Sequence, residues 1–64
     1  MQRTEYMVTE KDTLDTYPVQ RTIALRMADN PPVNILTIIR VVRHYDEAED
    51  LCEPDESVLY DAES

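Results

Sequence analysis

The stretch from Asn34 to Tyr45 reads N-I-L-T-I-I-R-V-V-R-H-Y and contains Ile35, Leu36, Ile38, Ile39, Val41, Val42 and Tyr45. No other segment is rich enough in large apolar side chains to seed a core, so the rest of the chain is organised around it. The run fits two periods. As a helix, Ile35, Ile38, Ile39, Val42 and Tyr45 share one stripe, with Thr37, Arg40 and His44 opposite. As a strand, Ile35, Thr37, Ile39, Val41, Arg43 and Tyr45 face one way and Leu36, Ile38, Arg40, Val42 and His44 the other. Two arguments favour the strand. Ile, Val, Thr and Tyr lose rotamer freedom against a preceding helical turn but pack well on a pleated surface. Asp46 with Glu49 three residues later also forms an N-cap and capping-box pair, which starts a helix after the run. One helix through both segments would leave five acids at its C-terminal end, against the macrodipole.

Outward from this strand, Gln2 to Glu10 alternates weakly, with Thr4, Tyr6 and Val8 on one side and Arg3, Glu5, Met7 and Thr9 on the other, as a half-buried strand does. Lys11 to Thr16 reads as a hairpin loop, closed by Asp12 and Asp15 through side-chain to backbone bonds. The chain contains no glycine, the residue that tight hairpin turns usually demand. Tyr17 to Met27 alternates most clearly: Tyr17, Val19, Ile23, Leu25 and Met27 face one way, Pro18, Gln20, Thr22, Ala24 and Arg26 the other. This predicts a second strand, pairing antiparallel with 35–45. Asp29, Asn30, Pro31 and Pro32 end it.

The expected fold is therefore α+β: residues 1–64 form one small domain, with a three-stranded antiparallel meander over 1–45. A short acidic helix over 46–53 places Ala48, Leu51 and Cys52 against the sheet, and an acidic tail follows over 54–64. Within that tail Ser57-Val58-Leu59-Tyr60 is an apolar patch suited to pairing as an edge or docking in a groove.

Sixty-four residues bury only about 60% of the unfolded chain's surface, and fifteen Leu, Ile and Val residues make a thin core. Such scaffolds need a staple. One cysteine excludes an internal disulfide, and one histidine with one cysteine gives no zinc-site spacing. A homodimer or a protein partner is the expected staple. No apolar run approaches a membrane span and no signal-peptide pattern opens the chain, which reads as a soluble, cytoplasmic protein.

The net charge is -8. Residues 1–45 are nearly neutral, whereas Asp46, Glu47, Glu49, Asp50, Glu53, Asp55, Glu56, Asp61 and Glu63 fill the last nineteen positions with acids and no base. This surface repels nucleic acid and anionic membrane. No catalytic motif is present: His44 lacks a nucleophile or a second histidine, and the paired aspartates lack the glycine-containing calcium-loop pattern. No enzyme activity and no cofactor are expected. On the proposed helix Asp46 and Asp50, like Glu49 and Glu53, stand four apart, where like charges repel. Carboxylates about 5 to 6 Å apart form a negative row similar to a phosphate backbone. The nine acids are the expected contact surface for a partner with a basic nucleic-acid-binding face, inhibited by charge mimicry. In general character the chain resembles the small inhibitors that phages and mobile elements make against host nucleases, CRISPR complexes or polymerases. The alternative is a dimeric assembly module in which the acids serve solubility.

Overall fold

The apolar run is extended from Ile35 to His44. In the computed structural model, which describes residues 2–44 and 53–63, the elements are β1 (Gln2–Glu10), β2 (Thr16–Val19), α1 (Arg21–Asp29), β3 (Ile35–His44) and β4 (Asp55–Asp61). The strands form one antiparallel sheet in the order β2-β1-β3-β4.

The expected three-stranded meander is overturned. The sheet has four strands, and β3 pairs with β1 and β4 instead of with residues 17–27. The segment expected as a strand over 17–27 divides at Gln20 into the short β2 and the helix α1. From Arg21 onward the chain is rich in good helix formers, Ala24, Leu25, Arg26, Met27 and Ala28, and Ile23 is its last β-branched residue before Asn30. Ala24, Met27 and Ala28 then fall at i, i+3 and i+4, one helical stripe, with Ala24 fully buried and the other two half-buried. Ile23 and Leu25, assigned to a packed strand face by the alternation, are each 44% exposed. The helix expected over 46–53 lies outside the described residues except for Glu53, an exposed residue just before β4.

The core sits on one face of the sheet beneath α1. Tyr6, Val8, Ala24, Ile35 and Ile38 form its buried cluster, flanked by Val19, Met27, Ala28, Leu59 and Tyr60. Ile35, Ile38 and Val8 are the largest fully buried side chains, each contributing about 1.5–3 kcal/mol by leaving water. Ile35 and Ile38 are three apart in one strand and still share this face. The register shift between Thr9 and Glu10 leaves Leu36 as an extra residue in β3, so Ile35 opposes Glu10 while Thr37 opposes Thr9. A second shift leaves Leu59 extra in β4, with Tyr60 opposite Ile38 and Val58 opposite Ile39.

The β1–β2 hairpin closes without glycine because Leu14 takes the left-handed conformation, at φ 59. The Leu14 amide donates to the Glu10 carbonyl at 3.1 Å, and the Glu10 amide donates to the Asp15 carbonyl at 3.0 Å. The Lys11 amide donates to the Asn34 carbonyl at 2.8 Å, tying this turn to the start of β3.

Candidate functional site

The acid-rich end of the chain forms a sheet edge. β4 pairs with β3 through Val42 and Asp55, Val41 and Glu56, Arg40 and Ser57, Ile39 and Val58, Ile38 and Tyr60, and Thr37 and Asp61. Its apolar residues explain the docking: Tyr60 lies opposite the buried Ile38, and Leu59 and Tyr60 pack against the core. β3 pairs with β1 along one edge and with β4 along the other, and so is a central strand.

Strand alternation divides the acids between two faces. Asp55 shares the helix-bearing face with Val42 and the core, whereas Glu56 and Asp61, opposite Val41 and Thr37, lie on the helix-free face. Glu53, Asp55, Glu56 and Glu63 are exposed and Asp61 is half-buried. Asp46, Glu47, Glu49 and Asp50 lie outside the described residues. Of the expected contact surface, the described part is therefore a two-sided edge, with Glu53 leading into it and Glu63 following it.

His44 bridges three strands. Its Nε2 lies 3.0 Å from Asp55 Oδ2, and its Nδ1 lies 3.4 Å from the Gln2 side-chain amide nitrogen. The ring thus joins the N-terminus of β1 to the start of β4. Arg40 extends from β3 toward the same edge, its guanidinium donating to Ser57 Oγ at 3.4 Å. On the opposite face Glu5 contacts Arg3 at 3.4 Å and Arg43 at 3.8 Å. Arg3 is exposed, whereas the Arg43 and Glu5 side chains are 35% and 26% exposed.

The helix-free face carries a feature visible only in the register. Pro18 opposes Met7, Met7 opposes Ile39 and Ile39 opposes Val58, giving one apolar row across all four strands. The neighbouring row is polar: Thr16, Thr9, Thr37 and Asp61, with Thr9 and Thr16 hydroxyls 2.9 Å apart. Val58 ends the apolar row at 65% exposure. Beside it Val58, Leu59, Tyr60 and Asp61 line a shallow groove. The sequence signals were Met7 within a polar half-strand and the two-faced apolarity of β3, but only pairing aligns them.

Among the described residues, no three His, Cys, Asp or Glu side chains are grouped to hold a metal ion, and no helix is long and apolar enough to cross a membrane. What the fold and its surface define is a small α+β sheet protein with an acid-lined edge strand. Compared with protein-family models, characterised proteins and solved structures, the chain matches none.

Proposed function

We propose that this chain is a cytoplasmic, non-enzymatic inhibitor that covers the basic nucleic-acid-binding surface of a partner protein. The observation that carries the reading is that the acid-only end of the chain includes an edge strand, β4. Carboxylates held there are displayed by an ordered ladder. Side chains on one face of a strand recur about every 6.6 Å, twice the advance of about 3.3 Å per residue, and β4 divides its acids between its two faces. At one end Asp55 supplies charge to the helix-bearing face and Glu56 to the helix-free face, and Asp61 and Glu63 add charges at the other. Asp46, Glu47, Glu49, Asp50 and Glu53 continue the acid run in sequence. Lysine and arginine arranged to grip phosphates are attracted to such an edge, and steering by opposite fields accelerates the encounter.

The test is competition. Proteins captured from the native host by the wild-type chain, and lost with the triple variant Glu53→Lys, Asp55→Lys and Glu56→Lys, are each loaded with labelled DNA or RNA. The inhibitor should release the nucleic acid, less effectively as salt is raised. A partner that holds nucleic acid and this protein together, with neither affinity reduced, would sink the mimicry reading.

A second reading has its own observation. The row Pro18, Met7, Ile39 and Val58 suits face-to-face packing of two copies, as in a small assembly module whose acids keep it soluble. Sedimentation of the wild type and Val58→Lys decides it: a dimer that the substitution dissociates supports assembly, and a wild-type monomer at tens of micromolar, chosen for roughly micromolar affinity, removes it.

A further inference from the structure

The two edges of the sheet differ. β2 is four residues long and contains Pro18, which has no amide to donate, so that edge is closed to a fifth strand. β4 is seven residues long with no internal proline, and among the described residues its sheet neighbour is β3 alone. Every second residue of such a strand turns its backbone N–H and C=O outward. We infer that the outer edge of β4 takes an extended, basic segment of a partner protein as a fifth antiparallel strand. The inference rests on the protein-binding reading above and specifies how the partner is held.

Charge selects the occupant. A second copy of β4 is a poor one, because it would set two acid-only chain ends side by side with no base between them. The same acids favour lysine or arginine in the incoming strand, foremost opposite Glu56, since Asp55 already lies 3.0 Å from His44 Nε2 and Asp61 Oδ1 accepts the Glu63 amide at 2.9 Å. Opposite Val58 an apolar side chain fits, since it extends the row of Pro18, Met7, Ile39 and Val58 by one strand. On the helix-free face the incoming strand thus sets a basic residue opposite Glu56 and an apolar one opposite Val58. Main-chain bonds supply affinity in this mode and the alternate side chains supply specificity.

The probe is a capped peptide of the length of β4 with lysines at the end that pairs with Asp55 and Glu56, valine opposite Val58 and threonine elsewhere, titrated into the isotope-labelled full chain. A control peptide of identical sequence and charge is N-methylated at every backbone amide. The expected result is perturbation of amide resonances from Asp55 to Asp61, slower hydrogen exchange at the outward amides of β4, and binding about tenfold or more tighter than that of the control, which lacks the backbone donors. Equal binding of both peptides, or perturbations centred on β2 or the middle of the helix-free face, would overturn strand addition while leaving a charge-based contact intact. If neither peptide binds at low salt, where attraction between exposed charges is strongest, both the strand addition and the acidic docking surface fall.

Discussion

Leu14 shows what a chain without glycine must do at a tight turn. Its φ of 59 lies in the left-handed region, which costs an L-residue with a Cβ roughly 1–2 kcal/mol. The side chain recovers little, being 66% exposed. Leu14→Gly is therefore expected to stabilise the fold by about 1 kcal/mol, less whatever the freer unfolded chain takes back. Urea unfolding with an unchanged slope and a higher midpoint would bear this out; a lower midpoint would mean that the Leu14 side chain packs usefully. The loop itself was legible from its polar run, but its closing bonds come from the backbone and from Thr13 Oγ1, which accepts the Asp15 amide, and nothing in the sequence indicated which residue would turn left-handed. That position follows from the two bonds between Glu10 and the residues Leu14 and Asp15.

The helix α1 is where reading by period fails, and the reason is arithmetic. Ile23 and Met27 are four apart, so they satisfy both a strand's alternation and a helix's i, i+4 spacing. Continuing the alternation of Tyr17 and Val19 through them gave a strand, whereas Arg21, Ala24, Leu25, Arg26 and Ala28 favour a helix by propensity. Tertiary contact breaks the tie: the space over Tyr6, Val8 and Ile38 accepts the small Ala24 and Ala28 of a closely packed helix. α1 begins poorly, since its N-cap Gln20 has extended φ and ψ but no side-chain cap bond, and no acid occupies the first turn. Gln20→Asp is expected to add about 0.5–1 kcal/mol by capping a free amide and opposing the dipole. Calorimetry showing no rise in Tm for this variant would argue against a free amide awaiting a cap at the helix start.

For the whole molecule, the small core and the one-sided charge set the stability. Native domains keep roughly 0.05–0.15 kcal/mol per residue, so the loss of one central side chain matters here. Ile38→Ala, at a position with no exposure between β1, β4 and α1, should cost about 2–5 kcal/mol and leave much of the chain unfolded by circular dichroism. Nine acids without a base in the last nineteen residues also repel one another. Moderate salt should therefore raise Tm by screening beyond about 8 Å, and a Tm that falls with salt would show that the pairs of Glu5 with Arg3 and Arg43 dominate the electrostatics. The sequence by itself determined the extended conformation of Ile35–His44, the alternation of Gln2–Glu10 and the gathering of acids at one end, because each rests on local composition and spacing. The tertiary structure alone decided that β1 lies between β2 and β3, that Leu36 and Leu59 are extra residues, that Pro18, Met7, Ile39 and Val58 align, and that acids border an open edge. These depend on pairing residues as distant as Gln2 and His44, and such register is set by how both faces of β3 are buried at once, a property that no local window contains.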